Sequence, residues 1–228
     1  KDKLKKGNTY FIGDIHGCAR TFTELLFEVI GVRRSDRIFL LGDYIDRGPD
    51  SAAVIDIILT MIKKEYTIFP LMGNHELMLL QSLRDPVFAA QWTLNGGRAA
   101  MDSWKTNDPT KIPAHHIDFI KGLKYYFKVG DFIAVHAGLN FSVEKPLEDT
   151  ESMLWIRNDS VDRTKIKGRK LIVGHTPTTL EDIKKSLNSD RIRLDGGCVY
   201  SARRPEYGLL CALRLEGMRL FTQKNIDF

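Results

Sequence analysis

The chain has 228 residues, 43% hydrophobic and 28% charged, which is ordinary for a globular protein and enough to bury a sizeable core in one domain. Its formal net charge of +5 favours anionic partners such as phosphates, but is too small to argue for nucleic acid alone. The longest apolar runs fall far short of a membrane span, and Cys18, Cys198 and Cys211 lack metal-ligand spacing and demand no oxidising compartment.

Taken in chain order, strand-like apolar runs alternate with helix-like stretches. The basic N-terminus is followed by no apolar segment, so no signal peptide is expected and the cytoplasm is the default location. Tyr10-Phe11-Ile12 reads as a strand before a helix over 22–29. Residues 38–41 and 52–62 repeat the pair, as do 68–72 and 76–83. Strand then helix, three times over, predicts α/β architecture with parallel pairing at the start. Residues 88–123 read as helical and irregular, broken at Gly96-Gly97 and at 109–113. His115 and His116 follow Pro113-Ala114 at a helix start and are read as structural. Strands follow at 126–129, 132–135, 171–173, 192–194, 209–215 and 219–221, and the turns Gly130-Asp131 and Glu216-Gly217 suggest antiparallel pairing there. Basic clusters at 1–6, Lys63-Lys64, 163–170 and Arg203-Arg204 are read as solvated surface. Repeats and linkers are lacking, so residues 1–228 are expected to form a single domain: a layered sheet core with helices outside.

Five short polar clusters carry the chemistry, most of them directly after an apolar run. They are Gly13-Asp14-Ile15-His16-Gly17, Gly42-Asp43-Tyr44-Ile45-Asp46-Arg47-Gly48, Gly73-Asn74-His75-Glu76, His136-Ala137-Gly138 and Gly174-His175-Thr176-Pro177. Carboxyl ends of strands in open α/β sheets converge on one crevice, so these side chains can meet in space. A lone Asp after a strand is usually a turn residue or helix cap, and a lone His beside an apolar run is usually a satisfied core residue. The coincidence argues otherwise, because four of only six histidines sit in these clusters, each beside Gly, Asp or Asn. Oxygen and imidazole donors without thiolate suit manganese, iron or zinc better than a structural thiolate zinc site.

The clusters, in this order, resemble the PPP-type serine/threonine protein phosphatases of the calcineurin-like metallophosphoesterase superfamily, and the likeness runs from about Tyr10 to about Ala212. The length, the stretch 92–97 and the stretch 155–157 look most like the compact bacterial and phage members. The resemblance implies a central β-sandwich of mixed sheets flanked by helices, an α/β four-layer fold with a binuclear metal site at the strand ends. Asp14 and His16 would hold the first metal, Asp43 would bridge both, and Asn74, His136 and His175 would complete the second. His75 would protonate the leaving group with Asp46 holding its imidazole, while Arg47 and Arg157 would bind phosphoryl oxygens. Two divalent ions, with manganese first and iron or zinc as alternatives, bring about +4 against −2 from Asp14 and Asp43, so a phosphate dianion is attracted. Metals roughly 3.5–4 Å apart can share and acidify a water, and the bridging hydroxide would attack phosphorus directly.

The expected substrate is a phosphoserine or phosphothreonine protein or peptide. The alternative is a dinucleoside polyphosphate or another small phosphoester, and the last possibility an inactive binding scaffold, which the full ligand set disfavours. Two departures touch this choice. Met72 stands where many protein phosphatases of the family carry Arg, and Gly196 replaces the Thr of a family stretch matched by Asp195-Gly196-Gly197-Cys198. The symmetrically cleaving bacterial polyphosphatases typically have Ala at the place of Asp46 and Asp at the place of Glu76, so both residues here favour the protein-phosphatase branch. No membrane partner and no specific nucleic-acid partner are expected, since the chain shows no aromatic-basic RNA motif, helix-turn-helix signature or zinc knuckle.

Overall fold

The computed structural model describes residues 7–202 and 204–228, so the basic residues Lys1 to Lys6 and Arg203 lie outside the described part. The first half is three strand–helix units: β1 (Thr9–Ile12) and α1 (Ala19–Glu24, continued by the wider turns of Leu25–Ile30), β2 (Arg37–Leu40) and α2 (Ser51–Lys63), β3 (Thr67–Pro70) and α3 (Asn74–Ser82). Next come α4 (Pro86–Trp92), α5 (Arg98–Ser103) and α6 (Ala114–Lys121). The second half holds β4 (Tyr126–Val129), β5 (Phe132–Val135), α7 (Thr150–Trp155), β6 (Lys170–Val173), α8 (Leu180–Ser186), β7 (Arg191–Arg193), β8 (Asp195–Gly196), β9 (Leu209–Arg214) and β10 (Arg219–Lys224).

These strands form two sheets, ordered β10-β9-β1-β2-β3, with β8 paired to β9, and β4-β5-β6-β7. β1, β2 and β3 are parallel, as their helical crossovers require. The turns at 130–131 and 216–217 do make antiparallel hairpins, β4–β5 and β9–β10. The remaining pairs of the second half divide: β8–β9 is antiparallel, whereas β5, β6 and β7 run parallel. The connections there contain α7 and α8, helices of six and seven residues, too short to leave a periodic signal in the sequence.

Side chains alternate across each strand, and the alternation builds the layers. Phe11, Phe39 and Leu41 face the second sheet, where Ala134, Ile172 and Ile192 meet them in one buried cluster. Phe39 lies at the centre of this seam, stacked 5.0 Å from Phe11 and 4.5 Å from Phe69. Ile12, Ile38 and Leu40 face the other way and pack under α1, α2, α3 and α6. Ile133, Val135, Leu171 and Val173 turn outward on the second sheet, beneath Met153 of α7. The result is the expected sandwich of mixed sheets between helices. Each polar cluster follows a strand end: residues 13–17 after β1, 42–48 after β2, 73–76 at the start of α3, 136–138 after β5 and 174–177 after β6.

Candidate metal centre

The loops that carry the site are bent harder than ordinary loops. His16, Asp43, Asp46, Arg47 and His175 all take positive φ, between 46° and 72°, a region that costs a non-glycine residue energy and persists where the surroundings over-determine it. Glu76 is the main constraint. Its Oε2 accepts from Asp43 N (2.9 Å) and Gly73 N (3.0 Å), and its Oε1 from Tyr44 N (2.7 Å) and Ile45 N (3.3 Å). Burial and nearby Asp43 push this carboxyl upward, but every one of these neighbours is a donor, so the group is held as a carboxylate. Two glycines make room for ligands: a Cβ on Gly73 would lie 2.2 Å from Asp43 Oδ1, and one on Gly174 2.1 Å from Asp14 Oδ1.

Glu76→Gln keeps the size but turns an NH₂ group toward two backbone donors. A loss of about 2–3 kcal/mol is expected, a fall of roughly 5–10 °C in Tm for a chain of this size. An unchanged melting curve would mean that the Glu76 carboxylate is not what clamps the loop.

Two groups of ligand atoms share Asp43: His16, Asp43 and His75 on one side, and Asp43, His136 and His175 on the other. Asp43 Oδ2 lies 3.5 Å from His16 Nε2, and Oδ1 lies 3.5 Å from His136 Nε2, so its two oxygens face the two groups. Asn74 Oδ1 sits 2.9 Å from His136 Nε2 and 3.0 Å from His175 Nδ1. Asp14 accepts from His175 N through Oδ2 (2.9 Å), while its buried Oδ1 has no partner among the described residues. The structure therefore brings Asp14, His16, Asp43, Asn74, His136 and His175 into one buried cluster.

The hydrogen bonds of this cluster leave it suited to cations. His16 Nδ1 donates to Ile45 O and His136 Nδ1 donates to Leu41 O, both at 2.8 Å, which leaves each Nε2 as a bare lone pair. His136 Nε2 then faces Asn74 Oδ1 and Asp43 Oδ1, acceptor against acceptor, an arrangement that a cation relieves. Burial, followed by the nearby imidazole of His136, pushes His175 down to about 3, and burial likewise lowers His16 and His136, so these rings stay neutral with lone pairs to give. Burial, then Asp195 and Asp43, pushes the Asp14 carboxyl well up, the signature of an acidic cluster short of positive charge. The donor set fits divalent metal. One contact opposes it: Arg47 Nη1 lies 2.7 Å from His16 Nε2, so a metal there requires this guanidinium to swing away.

Beside the ligands stands a relay. His75 Nδ1 donates to Asp46 Oδ2 at 2.7 Å, and the same oxygen accepts from Trp92 Nε1 at 2.8 Å. All three side chains are buried. A cleft of about 380 Å³ opens over the cluster, with Asp43, Asn74, His75 and His175 in its floor and Arg47, Arg157 and Arg204 in its walls. Tyr200 and Tyr207 complete it, and the Arg47 guanidinium lies 5.7 Å from the centre of the Tyr200 ring. Thus Arg47, Arg157, His75 and Asp46 all gather at the same place as the ligand cluster.

Sequence alone assigns no role to Trp92, Tyr200 or Tyr207, and does not show Glu76 as a clamp. Arg204 is exposed, as the solvated-surface reading expects, with 63% of its side chain accessible, and its segment also brings it to the edge of the cleft. For Glu76 a signal exists: it sits three residues after Gly73 at a helix start, the spacing at which a Glu reaches back to a free N–H. The other four come from the segments 92–97 and 198–207, whose approach to the site depends on tertiary packing. Asp56, His115 and His116 also lie together. Trp104 Nε1 donates to His116 Nδ1 at 2.8 Å, which places the proton on Nε2, 3.0 Å from Asp56 Oδ1, so that ring is satisfied without a metal.

The chain matches the calcineurin-like phosphoesterase family over residues 7–209. A symmetrical bis(5'-nucleosyl)-tetraphosphatase of Nitrosomonas europaea is 32% identical over 140 residues, covering 60% of this chain and 47% of the relative. The enzyme of the same name from Wigglesworthia glossinidia brevipalpis is 44% identical over 71 residues, 31% of this chain and 25% of the relative. The chain spans about half the length of the curated relatives it matches. Among solved structures, a candidate diadenosine tetraphosphatase superposes with a TM-score of 0.69 at 19% identity, over 99% of this chain and 96% of the other. A protein serine/threonine phosphatase of Saccharomyces cerevisiae gives 0.65 at 13% identity, over 100% and 82%. At such identities the superpositions establish the fold alone. Among the described residues, no helix is long and apolar enough to cross a membrane.

Proposed function

The chain belongs to the calcineurin-like phosphoesterase family, and from that premise we propose that it is a metal-dependent hydrolase of dinucleoside polyphosphates or related nucleotides. The phosphoprotein substrate expected first from the sequence gives way here, because the similar curated relatives are named as tetraphosphatases. The observation that carries the reading is the cleft: three arginines and two tyrosine rings surround it, more cation and aromatic surface than one phosphate group uses.

Asp14, His16 and Asp43 would hold one ion, and Asp43, Asn74, His136 and His175 the other. The ions, manganese first by donor type, would acidify a water and polarise the phosphoryl group. The remaining work falls to the chain itself. Arg47 and Arg157, at the rim, bind phosphoryl oxygens, where guanidinium forks match phosphate geometry. His75 lines the cleft floor and hands a proton to the leaving oxygen from the nitrogen not bonded to Asp46. Asp46 and Trp92 position that ring. Tyr200 and Tyr207 offer flat surfaces for nucleobases.

One observation favours a second reading. A general acid matters most for alkoxide leaving groups, and the buried His75–Asp46–Trp92 relay is built for holding one in place. Phosphoserine or phosphothreonine esters are therefore the alternative substrates. Initial rates on diadenosine tetraphosphate, ATP, phosphoserine peptide and phosphothreonine peptide, each with saturating manganese, separate the two. The expected order of kcat/KM puts diadenosine tetraphosphate first by about tenfold or more, an advantage of about 1.4 kcal/mol in transition-state binding. A phosphopeptide in first place would make the second reading the function.

A further inference from the structure

A second compartment opens off the metal-centre cleft. The two share Arg157, Thr176, Pro177 and Tyr207 in their walls, and the second encloses about 290 Å³ beyond them. Its far side is made by β7, which supplies Arg191 and Arg193, two residues apart and so on one face of the strand. Arg191 is buried: Nη2 donates to Ala137 O at 2.7 Å, Nη1 reaches Asn158 Oδ1 at 3.4 Å, and Nε has no partner among the described residues. Arg193 stands at the rim with 30% of its side chain exposed, hydrogen-bonded to Asp159.

The charge balance of this compartment is positive. Asp159 faces both Arg193 and Arg191, the latter at 3.9 Å, while Asp182, the other acid in the wall, is engaged by Lys185 at 3.4 Å. Lys185 is shared with Glu181 at 2.7 Å, so Arg157, Arg191 and Arg193 against Asp159 and Asp182 leave a net excess of one cation beside the cleft. A single phosphate held at the metal centre leaves that excess unused. A chain of phosphates matches it, since each further phosphate adds charge at a short, regular spacing and presents oxygens to planar guanidinium forks.

We propose that this compartment is a subsite for the phosphates of a polyphosphate chain beyond the one that reacts, so that the substrate runs from the metal centre past Arg157 to Arg193. The assignment rests on the polyphosphate reading above. Arg193 is then a specificity residue that acts on substrate length.

The test is calorimetric titration of the manganese-loaded protein, at fixed free manganese, with inorganic tripolyphosphate and with orthophosphate. Wild type is expected to bind tripolyphosphate the more tightly. Arg193→Ala should weaken tripolyphosphate binding about tenfold while moving orthophosphate by less than about twofold, and Arg193→Lys should recover part of the loss. Unchanged tripolyphosphate binding in Arg193→Ala, or equal weakening of both anions, would overturn the subsite. Hydrolysis of diadenosine tetraphosphate by wild type scores the parent reading separately. No hydrolysis, with the Arg193-dependent preference intact, removes that reading and keeps the subsite; hydrolysis without the preference does the reverse.

Discussion

Asp43→Asn is expected to cut both metal content and turnover, with kcat/KM falling by about 10³-fold or more. The reason is the reach of one carboxylate. Its two oxygens lie 3.5 Å from His16 Nε2 and from His136 Nε2, one toward each ligand group. The substitution keeps the shape but replaces one oxygen by an NH₂, which donates and cannot ligate. It also removes one of the two negative charges, Asp14 and Asp43, that the proposed ligands would bring to two ions. Asp43 Oδ1 accepts from His75 N at 3.1 Å as well, so the thermal melt must be recorded beside the metal assay to show that the loop still folds. Elemental analysis of dialysed protein is expected to give two manganese ions per chain in wild type and one or none in Asp43→Asn. Two ions in the variant would end the bridging role.

The second large effect depends on the substrate. His75→Ala removes the ring that faces the cleft and is held by Asp46 at 2.7 Å. General-acid catalysis contributes about 10²–10⁴-fold where the leaving oxygen needs a proton. Serine and threonine alkoxides need one; a nucleotide phosphate or an aryl oxide leaves largely without help. The variant should therefore lose about 10²-fold or more on phosphoserine peptide, but less than about tenfold on diadenosine tetraphosphate and on para-nitrophenyl phosphate, with its metal content intact. Equal losses on all three would remove the proton-donor assignment. On this account the His75–Asp46 relay bears on reaction only when the leaving group is poor.

Much of this arrangement is legible in the sequence. The ligands lie in short, glycine-flanked clusters at strand ends, and such clusters need only local sequence to be seen. Parallel β1, β2 and β3 follow from their long helical crossovers, whose apolar faces are periodic. The parallel run of β5, β6 and β7 is hidden, because α7 and α8 are too short to show a period. Glu76 is visible as part of a motif but not as a clamp, since its four backbone partners come from segments more than 30 residues away as well as from its own helix start. Trp92 is hidden for a related reason. Its bond to Asp46 spans 46 residues and exists only once α4 packs over the loop after β2. Tyr200, Arg204 and Tyr207 lie in a polar, turn-rich segment that reads as surface, and only its return across the strand ends turns it into a wall of the cleft.

Substrate choice is the least legible feature. The resemblance at Asp46 and Glu76 raises the expectation of phosphoproteins, whereas a relative similar over 60% of the chain is named as a tetraphosphatase. The two signals report different things: the first concerns the leaving group that the site can serve, the second the surroundings that select a substrate. Arg191, Arg193 and Arg204 belong to those surroundings and fall in no motif.

Everything proposed for the reaction depends on metal in the buried cluster around Asp43. The most direct test is to strip the protein with chelator, confirm by circular dichroism that it remains folded, and follow phosphate release from para-nitrophenyl phosphate as manganese is added back. Activity is expected to be absent in the stripped protein, to rise to a plateau at two manganese ions per chain, and not to return in His136→Ala. Full activity in the folded, metal-free protein, or none with manganese, iron or zinc restored, would contradict a metal-dependent hydrolase.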